Sequence, residues 1–168
     1  MFSMTKCISL KTPIFMIPAI LLVTSCTRQE PPSYNTDIPI DEVMEHVIEP
    51  SAEAFWRGFG FRLTATGEED LSPKTDADWK KVEDGAATVV LGMNALMVDG
   101  YAREPVVEWD SYARTVAAIA SRGKSSAEKK NAAELESIGG ELEEACDGCH
   151  RKFDLRFVSP PGPASPYK

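Results

Sequence analysis

The chain has 168 residues, with 26 acidic and 18 basic side chains and a formal charge of -8. This length suits one domain with a hydrophobic core of its own. The acidic excess argues against a nucleic-acid partner, because a surface that binds phosphates needs an excess of lysine and arginine.

The N-terminus has the features of a secretory leader. Lys6 and Lys11 precede an apolar run over residues 14–23, no acidic residue occurs in residues 1–25, and the run is short for a membrane span. It ends in Val23-Thr24-Ser25-Cys26, which resembles the lipobox of bacterial lipoproteins. We therefore predict a signal peptide over residues 1–25 and lipidation of Cys26, with an uncleaved anchor helix as the alternative.

Both interpretations of the leader place the following domain outside the cytoplasm, on the periplasmic side of a bacterial membrane. Loss of the leader removes two lysines and no acid, so residues 26–168 carry a formal charge of -10. Residues 26–37 are polar and contain two prolines, which predicts a flexible tether. Residues 159–168 are rich in proline and predict a flexible tail. The folded domain is expected over residues 38–158.

The first predicted helix begins near Pro39 and has an apolar side. That side carries Val43, Met44, Val47, Ile48, Ser51 and Phe55. Pro50 lacks a backbone donor and crowds the carbonyl four residues back, which predicts a kink or a break over residues 46–50. Gly67 and Ser72-Pro73 then indicate a loop.

Two further helices are predicted in the middle of the chain. The second opens with Thr75-Asp76-Ala77-Asp78, a capping-box pattern, and closes at Gly100 and Pro105. Its apolar positions are Val82, Ala86, Val89, Met93 and Leu96. The third runs over about residues 106–121 and stops at Gly123. Its inward positions are Val106, Trp109, Ala113, Val116 and Ala120.

The fourth predicted helix starts at Ser125-Ser126-Ala127-Glu128, a second capping-box pattern. One stripe of it carries Leu135, Ile138, Leu142, Ala145 and Cys149. No segment shows a sustained period-two pattern. The sequence therefore predicts an all-α protein, an up-down antiparallel four-helix bundle whose core can house a cofactor.

The strongest chemical signal is Cys146-Asp147-Gly148-Cys149-His150, a CxxCH motif. Covalent haem needs two thiols at this spacing, each bonded to a vinyl-derived carbon, and an imidazole that reaches the iron. The motif predicts one covalently attached haem c.

Two other interpretations of the motif compete with haem. A thioredoxin-like dithiol lies at a helix N-terminus, where the dipole stabilises thiolate, whereas this motif follows a helix-forming run. A zinc site needs four ligands, and beyond the leader the chain offers only His46 and carboxylates besides the motif. The other cysteines, Cys7 and Cys26, belong to the leader or its end. Haem is the favoured interpretation.

Four helices, CxxCH on the last and a methionine early in the first resemble the class II c-type cytochromes, which include cytochrome c′ and cytochrome c-556. The resemblance covers the whole folded interval, and its specific motif is the CxxCH segment. It implies thioether bonds at Cys146 and Cys149, His150 as the proximal iron ligand and, as in low-spin members, Met44 as the sixth ligand. It also implies a carrier of single electrons between redox proteins, not an enzyme, and a chain that can pair with a second copy.

Helical position also favours Met44 as the ligand. Met44 and His46 are two residues apart and face roughly opposite ways, which predicts that His46 is a surface residue. Met93 and Met97 are expected to pack in the core. The alternative is the arrangement of cytochromes c′, in which a bulky apolar side chain lies over a five-coordinate iron that binds nitric oxide or carbon monoxide.

One segment departs from the family pattern. Phe153 fits the aromatic that commonly follows CxxCH, but Asp154 stands where a basic residue is expected. Arg151, Lys152 and Arg156 are candidates to meet the haem propionates. A basic helix end exposed to solvent is their more common role.

Overall fold

The computed structural model describes residues 33–153, which are mainly helical. An N-terminal helical stretch comprises α1 (Ile40–Val43), a π-helical turn (Met44–Ile48) and α2 (Glu49–Trp56). A hairpin of β1 (Phe61–Thr64) and β2 (Gly67–Asp70) follows, and then α3 (Asp76–Ala95), α4 (Val106–Glu128) and α5 (Ala132–Phe153). The predicted all-α character is confirmed at this level.

Several predicted features lie outside residues 33–153. They are the leader, Cys26, most of the tether, and the tail, together with Asp154 and Arg156. Within the described part of the chain, no helix is both long enough and apolar enough to cross a membrane.

The start of α3 was predicted correctly. The Thr75 hydroxyl accepts a hydrogen bond from the Asp78 backbone N–H at 3.2 Å, and the Asp78 carboxylate accepts one from the Thr75 N–H at 3.0 Å. This reciprocal pair satisfies two N–H groups that the first turn of a helix leaves without partners. Its position therefore fixes where α3 begins.

The predicted boundary between the third and fourth helices is wrong. The helix α4 continues through Gly123 and includes Ser125–Glu128, the segment that had been taken as the next capping box. Lys130 has a φ of 56° and turns the chain, and the Asn131 side chain then accepts a hydrogen bond from the Glu134 N–H at 3.3 Å. The glycine at position 123 has a packing role and does not end the helix. A Cβ there would fall 2.6 Å from a ring atom of Phe55.

A kink or a break was predicted over residues 46–50, and the structure shows an irregularity but no break. The helix runs on through Pro50, and the irregularity takes the form of the π-helical turn just before it. One expected inward residue is displaced, since Val47 is 38% exposed whereas Ile48 is buried.

The hairpin β1–β2 was not predicted. Its two strands pair antiparallel with Phe61 opposite Asp70 and Thr64 opposite Gly67, and Arg62 forms an ion pair with Glu69 at 2.6 Å. Every residue of both strands is exposed, so neither strand has a buried face. Phe61 and Leu63 alternate with polar residues in β1, but four residues are too few for a sustained period-two pattern.

The hydrophobic core lies between the helices. The helix α3 packs against α2 and α4, α4 packs against α5, and α2 contacts α5. Nearly all of the predicted inward positions of the three long helices are buried. They are Val82, Ala86, Val89, Met93, Leu96, Trp109, Ala113, Val116, Ala120, Leu135, Ile138 and Leu142. Val106, in the first turn of α4, is an exception and is 40% exposed. Ala145 and Cys149 are partly buried.

Candidate functional site

A cavity of about 340 Å³ lies between the N-terminal helical stretch and the three long helices. It brings together the four residues that the sequence singled out, Met44, Cys146, Cys149 and His150. The other described lining residues are Ile48, Glu49, Ala52, Trp56, Met93, Leu96, Trp109, Ala113, Val116, Glu143 and Asp147. The volume falls in the range of small-molecule and cofactor sites, about 300–1,000 Å³.

The helical spacing of the motif presents its three reactive side chains to one cavity. Cys146, Cys149 and His150 lie within α5, and residues three and four apart share one face of an α-helix. They stand near the C-terminal end of α5, as the sequence predicted. This location differs from the helix N-terminus at which a thioredoxin-like dithiol sits.

The protein environment keeps both thiols protonated. Burial raises the pKa of the Cys146 thiol to about 12, and the neighbouring Cys149, Asp147 and Glu143 act in the same direction. Burial also raises the pKa of Cys149. Both are free thiols and not a disulfide. A dithiol catalyst needs a lowered pKa, so the electrostatics of the site do not support that alternative.

The His150 imidazole is held in its neutral form at neutral pH. Partial burial lowers its pKa, and the charge of Asp147 opposes that shift in part. A neutral ring nitrogen is the form that donates a lone pair to a metal. The site therefore has an imidazole ready for ligation without prior loss of a proton.

Two tryptophans form apolar walls of the cavity. The indole N–H of Trp109 donates to the Leu96 carbonyl at 2.6 Å, and that of Trp56 donates to the Gly139 carbonyl at 3.2 Å. Each polar N–H is thus satisfied and each ring is fixed beside the cavity. Phe153 packs edge-on against Trp109 with ring centroids 5.0 Å apart, which supports this wall from behind.

The charged residues at the cavity are acidic. Glu49, Glu143 and Asp147 belong to the lining and are exposed. No lysine or arginine occurs among the described lining residues. Arg151 instead pairs with Asp147 at 3.5 Å, and Lys152 forms an ion pair with Glu108 on α4. The structure thus gives these two bases partners at the surface.

The other histidine and the other methionines differ in burial and in whether they line the cavity. His46 is exposed, as predicted. Met93 is buried and also lines the cavity, whereas Met97 is absent from its described lining. The sequence did not single out Trp56 as a site residue. Its position four residues after Ala52 was the available signal, because that spacing places the two on one helix face.

The zinc alternative lacks a donor set in the part of the chain that the structure describes. Between residues 33 and 153, no three histidine, cysteine or acidic side chains are grouped so that they could hold a metal ion. Zinc prefers four such ligands.

The side chains present fit a covalently attached iron porphyrin. Two thiols and an imidazole lie at the spacing that attachment requires, a thioether lies on another wall, and aromatic and aliphatic side chains enclose the space between them.

No family model, no curated protein and no solved structure matches this chain.

Proposed function

We propose that the protein is a monohaem c-type cytochrome that carries single electrons. The observation that supports this best is the cavity, since Met44 on the first helical stretch and the CxxCH residues on α5 line the same space. These two segments are about 100 residues apart in sequence. In this proposal Cys146 and Cys149 hold haem c by thioether bonds, and His150 and Met44 are the axial ligands.

Each ligand has a definable role. Haem c, when bound, supplies an iron centre that accepts and releases one electron. Neutral His150 offers a lone pair, and the uncharged sulfur of Met44 favours the ferrous form, which raises the reduction potential. The walls at Trp56 and Trp109 exclude water and limit the reorganisation that a change of charge would cause in solvent.

The helix contacts support an up-down antiparallel bundle as the architecture. The pairs α2–α3, α3–α4, α4–α5 and α2–α5 close a ring of neighbours, and only short connections join α3, α4 and α5. In this arrangement a cofactor binds among facing helices, as the cavity does here.

The cellular setting follows from the N-terminal sequence. We infer a lipid at Cys26 that anchors the domain on the periplasmic side of a bacterial membrane, where proteins with c-type haem are matured. The partners are then redox proteins within reach of that surface, and no role as an enzyme is proposed.

The decisive experiment is the visible spectrum of the haem-matured protein, oxidised and then reduced with dithionite. We expect a sharp reduced alpha band and a weak sulfur-to-iron band near the red end of the oxidised spectrum. Met44→Ala should abolish the sulfur-to-iron band, because alanine offers no ligand. Met97→Ala is the matched control, since that residue is not among the described lining of the cavity, and it should leave the band intact.

Three outcomes contradict parts of the proposal. A broad high-spin spectrum that shifts when carbon monoxide is added would replace six-coordinate electron transfer with the gas-binding alternative. A sulfur band that survives in Met44→Ala would assign the sixth position to another residue. Two free thiols in the matured protein would exclude covalent haem and favour a dithiol oxidoreductase.

A further inference from the structure

The π-helical turn over Met44–Ile48 changes which residue faces the cavity. At this turn the Glu49 N–H donates to the Met44 carbonyl, five residues back and not four. A turn of this kind absorbs one residue more than an α-helical turn. Every residue on its N-terminal side is therefore rotated around the helix axis, relative to α2, by the angle between two consecutive residues, about 100°.

Helical phase shows the consequence for Met44. At about 100° per residue, an unbroken α-helix would place Met44 about 80° around the axis from Ala52 and Glu45 only about 20° from it. Ala52 lines the cavity, so a regular helix would present Glu45. The extra residue in the π-helical turn gives Met44 that direction, and Glu45 is exposed.

The burial pattern agrees with this phase shift. Val43 and Ile48 are buried and lie five residues apart, and Ala52 and Phe55 then follow at intervals of four and three. A regular α-helix would turn Val43 away from the side that contains Ile48 and Ala52. The exposure of Val47 needs no shift, because five residues of regular α-helix already place it about 140° around the axis from Ala52.

Pro50 weakens the α-helical alternative at this turn. It has no N–H to donate to the His46 carbonyl, and its ring crowds that carbonyl in a regular helix. The side chain of the next residue helps to satisfy the turn, because the Ser51 hydroxyl donates to the Val47 carbonyl at 2.6 Å. A π-helical turn therefore costs few hydrogen bonds here, because an α-helical turn would already lack the bond from residue 50 to the His46 carbonyl.

We infer that Pro50 is a positioning residue, which favours the π-helical turn and thereby presents the Met44 thioether, in place of the Glu45 carboxylate, to the cavity that His150 lines. The inference rests on the proposed function in that the cavity holds haem. It does not require that the Met44 sulfur bonds the iron.

The test uses the full haem-matured chain with carbon-13 in the methionine methyl groups. A methyl group beside a haem has a displaced resonance whether or not its sulfur is a ligand, and Met44→Leu identifies the signal of Met44 among those of the other methionines. In Pro50→Ala, which restores the missing donor, we expect this resonance to move to the range of methionines remote from haem. The sulfur-to-iron band should weaken in parallel, while the covalent haem remains.

A rescue separates helical register from general damage. Deletion of Val47 from Pro50→Ala removes the residue that the wider turn absorbs, so a regular α-helix then carries Met44 back towards the cavity. We expect both the displaced methyl resonance and the sulfur band to return. Pro73→Ala, at a proline outside every helix, is the matched control and should change neither.

Ser51→Ala is the second variant and leaves every backbone donor in place. It removes one hydrogen bond from the turn, so the Met44 resonance should move part of the way. An unmoved resonance in both Pro50→Ala and Ser51→Ala overturns the inference, as does a double variant without rescue. A displaced resonance in a protein without the sulfur band refutes ligation by Met44 and leaves the positioning role to be decided by the same variants.

Discussion

The contact between the N-terminal helical stretch and α5 differs between its two ends. Near Gly139 the Trp56 indole reaches the Gly139 carbonyl, and a Cβ at Gly139 would lie 2.0 Å from a ring atom of Phe59, three residues after α2 ends. At Cys146, seven residues further along α5, the same segments stand apart around a cavity of about 340 Å³. One end is closely packed, and the other contains the cavity.

The side chains account for this difference. At the close end, glycines at 123 and 139 accommodate the rings of Phe55 and Phe59. At the open end the lining includes the small residues Ala52 and Ala113, and the Trp109 indole is fixed by its hydrogen bond to the Leu96 carbonyl. A protein interior is normally packed without voids of this size, because lost contacts and exposed apolar surface cost free energy. In the proposed function, haem would cover these side chains and remove that cost.

The largest expected effect is at the close end. Gly139→Ala forces a methyl group into the Phe59 ring, so we expect the free energy of unfolding to fall by about 1–3 kcal/mol. Chemical denaturation of the apoprotein measures it. Gly140→Ala is the matched control, since a Cβ there meets nothing within 4 Å, and it should stabilise α5 by about 0.5–1 kcal/mol. Equal effects at the two glycines would show that the close packing is not formed in solution.

A smaller effect should follow from filling the open end. Ala113→Leu adds apolar atoms inside the cavity, so we expect the apoprotein to gain about 1 kcal/mol of stability and the chain to take up less haem during maturation. The exposed Ala118→Leu, on the same helix, should change neither quantity. A destabilised apoprotein with normal haem content would mean that Ala113 does not border the haem-binding space.

The smallest expected effect concerns the pH dependence of apoprotein stability. The folded protein lowers the pKa of His150, whereas an unfolded chain has an ordinary histidine pKa of about 6.5. The unfolded state therefore binds more protons as the pH falls through this range, and the free energy of unfolding should decrease between about pH 7.5 and 5.5. His150→Phe should reduce this slope, and His46→Phe, at an exposed position, should not. Identical slopes in the two variants would contradict the burial of His150.

Local sequence patterns predicted a large part of the fold. The Thr75 capping box, the spacing of Val82, Val89 and Met93, and the stripe through Leu135, Ile138 and Leu142 are all found in the structure. These signals are local. A capping box depends on two residues three apart, and a buried helix face depends only on apolar residues that repeat with the helical period. The hairpin over Phe61–Asp70 has no buried face, and its strands of four residues are too short for a sustained alternation.

Two positions that the sequence pattern placed wrongly have different physical causes. Gly123 suggested a helix end, but it is a helical residue that accommodates Phe55 from another part of the chain. Val47 fitted an apolar stripe drawn through Val43 and Met44, but the π-helical turn changes the phase of those two residues relative to α2, and Val47 is exposed. No local pattern reveals the contact at Gly123, because Phe55 is far away in sequence, whereas the π-helical turn lies directly before Pro50.

The sequence by itself determined the reactive groups of this protein. The CxxCH spacing puts two thiols and an imidazole on one helix face, which follows from the helical period alone. Met44 was identified from the sequence as the candidate sixth ligand of the iron. Only the tertiary structure decided that Met44 lies across a shared cavity from them, with Trp56 and Trp109 as walls. The physical reason is that helical period fixes directions only within one regular helix. The meeting of two segments depends on their packing and, for Met44, on one extra residue in a π-helical turn.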